Sequence, residues 1–151
     1  MLLIEHSGNL FVDCPKHFPL AHCVSLDMKM TRGIAVSFKR TFQNVQFLKS
    51  QVNQVGQCTS LNFYGRHVFY LVTKRRFFHK PSYYYLTQAL QALRSHMEDL
   101  GLSDLGIPGK MSCGLDNLNW ERVKEIIVEI PISQFIFFTS NFKPMYNSYH
   151  V

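Results

Sequence analysis

Two titratable side chains stand where an apolar run or a glycine-containing turn ends. Lys74 follows the run Leu71-Val72-Thr73, and Asp116 follows the turn Cys113-Gly114-Leu115. Such positions place a side chain where a buried strand meets the surface, which is where open α/β sheets bind ligands. A lysine amine and a carboxylate that meet there can perform covalent chemistry on a sugar, or they can form an ordinary ion pair. The elements around them decide between these two interpretations.

Strands and helices alternate along the chain. Short apolar runs predict strands at 20–24, 68–72, 104–107 and 132–138, and a turn at 64–66 joins two strands. Apolar residues at intervals of three and four predict helices over 32–42, 45–52, 82–100 and 120–130. This alternation predicts an α/β sandwich with a mixed or largely parallel sheet. Its ligand crevice lies at the carboxyl ends of the strands, near Ser25, Lys74 and residues 108–116.

Composition sets the class of protein and of partner. A chain of 151 residues predicts a single domain, over 1–140, with a tail at 141–151. Its formal charge of +6 favours an anionic partner such as a nucleotide, a polyphosphate or a nucleic acid. The four cysteines include no C-x-x-C pair, and the histidines show no ligand spacing, so no metal site is predicted. With no secretory signal or membrane span in view, we expect a monomeric nuclear or cytoplasmic protein.

Six short motifs occur in one order along the chain. They are Leu20-Ala21-His22-Cys23-Val24-Ser25, Gly33-Ile34-Ala35-Val36, Leu71-Val72-Thr73-Lys74, His79-Lys80-Pro81-Ser82-Tyr83, Cys113-Gly114-Leu115-Asp116 and Leu118-Asn119-Trp120-Glu121. Together they resemble the macro domain family, in particular its terminal ADP-ribose protein glycohydrolases, also described as O-acyl-ADP-ribose deacylases. The resemblance extends over about 8–138, which is nearly the whole chain.

The resemblance implies a three-layer α/β/α fold that binds ADP-ribose, free or on modified proteins, in a crevice along the sheet edge. It also implies hydrolysis of ADP-ribose from glutamate or aspartate side chains, without a metal or redox cofactor. In that family a lysine attacks the anomeric carbon of the distal ribose, and an aspartate helps to resolve the lysyl intermediate. The matching residues are Lys74 and Asp116, and Ser25 matches a serine beside the distal ribose.

The first ligand-binding segments depart from the family pattern. Asn9, followed by Leu10, stands where the family has an aspartate that accepts a hydrogen bond from adenine. Gly33 and Ile34 match part of the loop that binds phosphate and ribose. The family's loop reads Met-Gly-Ala-Gly-Ile, and this chain has Met30-Thr31-Arg32-Gly33-Ile34 in its place. The loss of one glycine restricts the backbone. The Arg32 guanidinium is then a candidate contact for the diphosphate.

The second loop is longer than the family pattern by one residue. It spans 108–116, and its binding residues are expected to wrap the diphosphate through backbone N–H groups. They are Ser112, which replaces a glycine, and Cys113, Gly114 and Leu115.

Two other functions stay open. One, which the altered loops suggest, is a binding module that recognises ADP-ribose without hydrolysing it. The other, ranked lower, is a nucleic-acid-binding protein, because basic residues at 39–40, 74–76 and 80 are interleaved with aromatic rings at 77–78 and 83–85. On the structural interpretation, Lys74 is kept only to pair with Asp116, and Asp116 caps the following helix. We expect His22 to be a hydrogen-bonded histidine of the core.

Overall fold

The computed structural model describes residues 2–112 and 118–139, apart from the side chains of residues 110 and 112. Six strands form one sheet: β1 Leu2–Ser7, β2 Leu20–Ser25, β3 Cys58–Phe63, β4 Arg66–Lys74, β5 Asp104–Pro108 and β6 Gln134–Thr139. The helices are α1 Leu10–Asp13, α2 Ile34–Phe42, α3 Val45–Ser50, α4 Tyr83–Asp99 and α5 Trp120–Val128, and a 3₁₀ turn spans Gly109–Ser112.

The sheet is mixed, as predicted. Its strand order is β1-β6-β5-β2-β4-β3. All neighbours run parallel except the edge strand β3, which pairs antiparallel with β4. Tyr64 and Gly65 form the hairpin between these two strands, and both take the positive φ that a tight hairpin turn requires. The parallel arrangement brings the carboxyl ends of β2, β4 and β5 to one edge of the sheet.

A separate apolar core lies on each face of the sheet. One core packs α4 and α5 against strand residues such as Phe69, Leu105 and Phe135. The other packs α1, α2 and α3 against the opposite face, through residues such as Leu20 and Tyr70. Side chains alternate between faces along a strand, so consecutive strand residues contribute to different cores. The result is the three-layer α/β/α sandwich that the resemblance implies.

Helix α4 illustrates how closely the pattern of apolar residues determines a long helix. The Ser82 hydroxyl accepts a hydrogen bond from the Tyr85 backbone N–H, at 3.2 Å, and so caps the first turn. Leu86, Leu90, Leu93 and Met97 are buried on one stripe. Gly101, at φ 70°, follows the helix in the left-handed conformation that commonly ends one.

Two elements, β1 and α1, were not predicted from the sequence. β1 is an edge strand whose residues are exposed or half-buried, so the sequence carries no clean alternation of apolar and polar residues. α1 has only four residues, too few to show a helical period. Within the described part of the chain, no helix is long and apolar enough to cross a membrane.

Candidate functional site

The last residues of β2 and β4 pair with each other in the parallel sheet. Val24 pairs with Val72, but the next pair is Ser25 with Lys74, so Thr73 is an extra residue on β4. Such a bulge changes the direction of the side chains that follow it. The Leu26 backbone N–H then donates to the Lys74 carbonyl oxygen at 2.8 Å. Ser25 and Lys74 are therefore neighbours that the backbone itself holds in place.

Asp27 links these strand ends to the turn that follows Lys74. The Ser25 hydroxyl donates to Asp27 Oδ1, and the Phe77 backbone N–H donates to Asp27 Oδ2 at 3.1 Å. Both carboxylate oxygens of Asp27 thus accept hydrogen bonds, one from the end of β2 and one from the turn after β4. Sequence reasoning did not single out Asp27. The available signal was a carboxylate two residues beyond a strand-end serine, a common spacing for local side-chain hydrogen bonds.

A cavity opens at this junction, and it brings together three of the residues predicted for the site. They are Ser25, Lys74 and Arg32. The other lining residues are Cys23, Val24, Met30, Thr31, Ala35, Thr73 and Phe77. Arg32 and Lys74 carry positive charge, and no carboxylate is among the lining residues in the described part of the chain. An anionic ligand is therefore favoured here.

The loop between β2 and α2 forms one wall of the cavity, and its backbone is unusual. Met28 and Met30 take φ values of 52° and 47°, yet only 1% and 5% of their surfaces are exposed. Gly33, which precedes α2, has φ 60° and ψ −145°, a combination that is essentially restricted to glycine. Arg32, between these positions, is exposed on the cavity wall.

Comparisons with known proteins show the family and the fold of this chain. The chain is 46% identical over 123 residues to the human ADP-ribose glycohydrolase OARD1, covering 82% of this chain and 80% of that protein. The macrodomain of Thermus aquaticus DarG superposes with a TM-score of 0.77 at 22% identity, over 93% of this chain and 98% of that one. Thermosipho africanus DarTG in complex with ADP-ribose gives a TM-score of 0.74 at 17% identity, over 89% and 41%. No family model matches the chain.

This chain belongs to the macrodomain family of ADP-ribose glycohydrolases. The identity with the human enzyme shows the family, and the solved structures show that the fold is shared. The resemblance drawn from the six motifs is thereby confirmed. The roles of individual residues in this macrodomain remain predictions.

At the amino-terminal end of the macrodomain, the Asn9 side chain is used in a hydrogen bond within the first helix. Its side-chain oxygen accepts from the Phe11 backbone N–H at 2.8 Å and so caps α1. Leu10 is 3% exposed and belongs to the core beneath α1, and Ile34, half-buried, opens α2. These three residues are not among those that line the cavity described above. Their contact with a ligand therefore stays a prediction.

The second loop of the macrodomain is described only at its start. Ser112 ends the 3₁₀ turn, while Cys113, Gly114, Leu115 and Asp116 lie outside the described residues. The N-cap of α5 is Asn119, whose side-chain oxygen accepts from the Arg122 backbone N–H at 3.1 Å. Asn119 thus takes the N-cap position of α5, while the alternative interpretation of Asp116 as a helix cap falls on a residue outside the described part of the chain. The proposed meeting of Asp116 with Lys74 stays a prediction.

His22 lies on β2 just below the site and is fully buried. Its ring stacks on Phe38 of α2 at 3.7 Å between centroids and meets the edge of Tyr70. Burial lowers the pKa of His22 to about 3, so the ring is neutral in the folded protein. The core position was predicted correctly. The expected hydrogen bond was wrong, since neither ring nitrogen has a partner within the described residues.

Proposed function

We propose that this macrodomain binds ADP-ribose and hydrolyses it from acidic side chains, with O-acyl-ADP-ribose as a second ester substrate. The observation that most directly supports the proposal is the pairing of Ser25 with Lys74 on the wall of a positively charged cavity. The human relative carries the name ADP-ribose glycohydrolase. The neighbour from Thermosipho africanus is in complex with ADP-ribose.

In this proposal Lys74 is the nucleophile. After the Lys74 ammonium group has lost a proton to solvent, the lone pair of the amine attacks the anomeric carbon of the distal ribose, forming a carbon–nitrogen bond. The bond from that carbon to the glutamate oxygen breaks, and the glutamate leaves as a carboxylate with the bonding electrons. Water then cleaves the ribosyl–lysine link, with proton transfer by Asp116, and the lysine amine is restored. Water is the co-reactant, and free ADP-ribose and the unmodified glutamate are the products.

The other residues of the cavity bind and orient the ligand. Ser25, oriented by Asp27, offers its hydroxyl oxygen next to Lys74 as an acceptor for a ribose hydroxyl. Arg32 offers a planar guanidinium to the diphosphate. Backbone N–H groups of Gly33 and Ile34, and of Ser112 to Leu115, bind the remaining phosphate oxygens, while Asn9 and Leu10 contact the adenine.

The test is release of ADP-ribose from a peptide that carries it on one glutamate. We expect wild-type protein to release free ADP-ribose and regenerate the unmodified peptide, as followed by mass spectrometry. A matched peptide with ADP-ribose on serine serves as control, because its ether-like link has a far poorer leaving group than a carboxylate. Equal rates on the two peptides, or release from neither, would contradict the proposed reaction.

A second candidate is an ADP-ribose reader without turnover. It is favoured by the loop before α2, where Thr31 and Arg32 replace the family's smaller residues and restrict the backbone. Calorimetry with free ADP-ribose, combined with the release assay, separates the two candidates. A reader binds ADP-ribose and leaves the modified glutamate intact. No binding at millimolar ligand would exclude both.

A further inference from the structure

The six residues after Lys74 form a basic and aromatic surface, which we call the rim segment (residues 75–80). It contains Arg75, Arg76 and Lys80 and no acidic residue. All three cations are exposed, and no ion pair within the described residues involves them. Phe77 and Phe78 are 40% and 65% exposed. Exposed cations beside exposed rings are typical of a surface that binds a partner.

The rim segment is held in one conformation by hydrogen bonds at several points. Asp27 accepts from the Phe77 backbone N–H at 3.1 Å. The Arg76 backbone N–H donates to His79 Nδ1 at 3.3 Å, and the His79 N–H donates back to the Arg76 carbonyl at 3.0 Å. A surface ordered in advance has less conformational entropy to lose on binding than a free loop has.

The position of the rim segment relates it to the substrate. It begins immediately after Lys74, and Phe77 is one of the residues that line the cavity. A polypeptide whose modified side chain enters this cavity must leave its neighbouring residues at the mouth. The rim segment is therefore one of the surfaces that those neighbouring residues can contact.

We propose that the rim segment binds acidic residues that flank the ADP-ribosylated side chain of a substrate protein. The inference rests on the proposed function and names the class of polypeptide that the site accepts. The guanidinium groups of Arg75 and Arg76 can each hold a carboxylate through two hydrogen bonds, which a lysine cannot do. The substrate preference is thus for glutamate-rich or aspartate-rich sequences around the modified residue.

The ring geometry favours an acidic polypeptide over a single-stranded nucleic acid. Phe77 and Phe78 meet edge to face, with an interplanar angle of 86°, and Phe78 meets His79 in the same way at 72°. Neighbouring rings at right angles do not present parallel faces to successive bases, which is how aromatic platforms bind single strands. The carboxylates of an acidic polypeptide can bind to the cations of the rim segment without any stacking on its rings.

The experiment measures, by fluorescence anisotropy, the affinity of two peptides that carry ADP-ribose on a glutamine side chain, an amide-linked isostere of modified glutamate with a far poorer leaving group. In one peptide the residues flanking the modified side chain are acidic, and in the other they are serine and glycine. We expect wild-type protein to bind the acidic peptide about tenfold more tightly, as three partly screened ion pairs would give. The triple variant Arg75→Gln/Arg76→Gln/Lys80→Gln should lose this preference and bind the neutral peptide as wild type does.

A matched control removes the same net charge elsewhere. The variant Lys16→Gln/Arg40→Gln/Lys49→Gln changes three exposed cations that do not line the cavity, and it should keep the tenfold preference. Equal affinity of wild-type protein for both peptides, or equal loss of preference in both triple variants, would overturn the inference. So would a labelled single-stranded oligonucleotide that binds the rim segment more tightly than the acidic peptide.

Because the isosteric peptides are not hydrolysed, this binding measurement is independent of turnover, and release is measured separately on the corresponding glutamate-linked peptides. If wild-type protein prefers the acidic isostere but releases no ADP-ribose from glutamate, the proposed hydrolysis fails and the rim-segment inference stands. If it releases ADP-ribose equally well from both glutamate-linked peptides and binds the two isosteres equally, the inference fails and the hydrolysis stands.

Discussion

The two walls of the cavity are built on different physical principles. At the ends of β2 and β4, Ser25 and Lys74 are positioned by parallel pairing, a bulge and the Asp27 carboxylate. In the loop before α2, Met30, Arg32 and Gly33 are positioned by a backbone that repeatedly enters the positive-φ region. The first wall bears the proposed nucleophile, and the second bears the groups proposed to bind a phosphate. The two tasks can therefore be separated by mutation.

The burial of side chains offsets the strain of the loop. A residue other than glycine in a left-handed conformation costs about 1–2 kcal/mol. Complete burial of a methionine side chain contributes about 1.5–3 kcal/mol, and Met28 and Met30 are both buried in the core beneath α2. The burial term is large enough to hold each strained residue in place. The loop thus depends on the core below it, whereas the strand ends depend on the sheet.

The largest expected effect is at the strand ends. Lys74→Ala should lower the rate of ADP-ribose release by at least about a thousandfold, because the nucleophile is lost. The Kd for free ADP-ribose should change by only a few-fold, since Lys74 acts on the reacting carbon. Rapid-quench release assays and calorimetry measure the two quantities. Lys49→Ala, an exposed lysine on α3, is the matched control. Release by Lys74→Ala at the wild-type rate would end the nucleophile assignment.

A substitution in the loop before α2 should have the opposite effect and change the Kd for ADP-ribose rather than the release rate. Gly33→Ala adds a side chain at φ 60° and ψ −145°, where about 2 kcal/mol of strain is expected. We expect the Kd for ADP-ribose to rise by roughly thirtyfold, with the release rate at saturation nearly unchanged. Gly101→Ala, also at positive φ but with open space around it, controls for general destabilisation. A fall in the saturated rate with an unchanged Kd would show that the two walls are not separable.

The strand wall also predicts a dependence of stability on pH, through His22. Its pKa is about 3 in the folded protein and about 6.5 when unfolded. Between these values the unfolded chain binds more protons, so the free energy of unfolding rises with pH. It should be about 2 kcal/mol lower at pH 5 than at pH 8 from this residue alone. Urea unfolding of wild type and of His22→Leu at both pH values measures this difference in the free energy of unfolding. A variant that loses as much stability on acidification as wild type would contradict the assignment to His22.

The smallest effect concerns Arg32. If its guanidinium contacts the diphosphate, Arg32→Ala should raise the Kd for ADP-ribose about fivefold, the size expected for an exposed ion pair. The loss should shrink at high salt, because the contact is exposed to screening. Arg40→Ala, on the exposed side of α2, is the control. An unchanged affinity would show that Arg32 faces solvent in the complex and that the loop binds through its backbone alone.

Elements with a clear pattern of apolar residues, including the short α3 and β5, could be predicted from the sequence, whereas β1 and α1 could not. Helix α4 follows from Ser82, its apolar stripe and Gly101, since each feature has a local physical effect. β1 is held in the sheet by its pairing with β6, a strand that is distant from it in sequence. Asp27 was missed for the same reason, because one of its two partners, Phe77, lies fifty residues further along the chain.

The amino-acid sequence alone determined the family, the order of most strands and helices, and the presence of a strand-end lysine and serine. Those properties follow from residue types and local spacing, which folding does not change. Only the tertiary structure decided that Ser25 pairs with Lys74 beside a bulge, that Asp27 accepts hydrogen bonds from both sides of this pair, and that Arg32 lies on the other wall of the same cavity. Each of these depends on strand register and on positive-φ backbone, which arise when segments distant in sequence pack together.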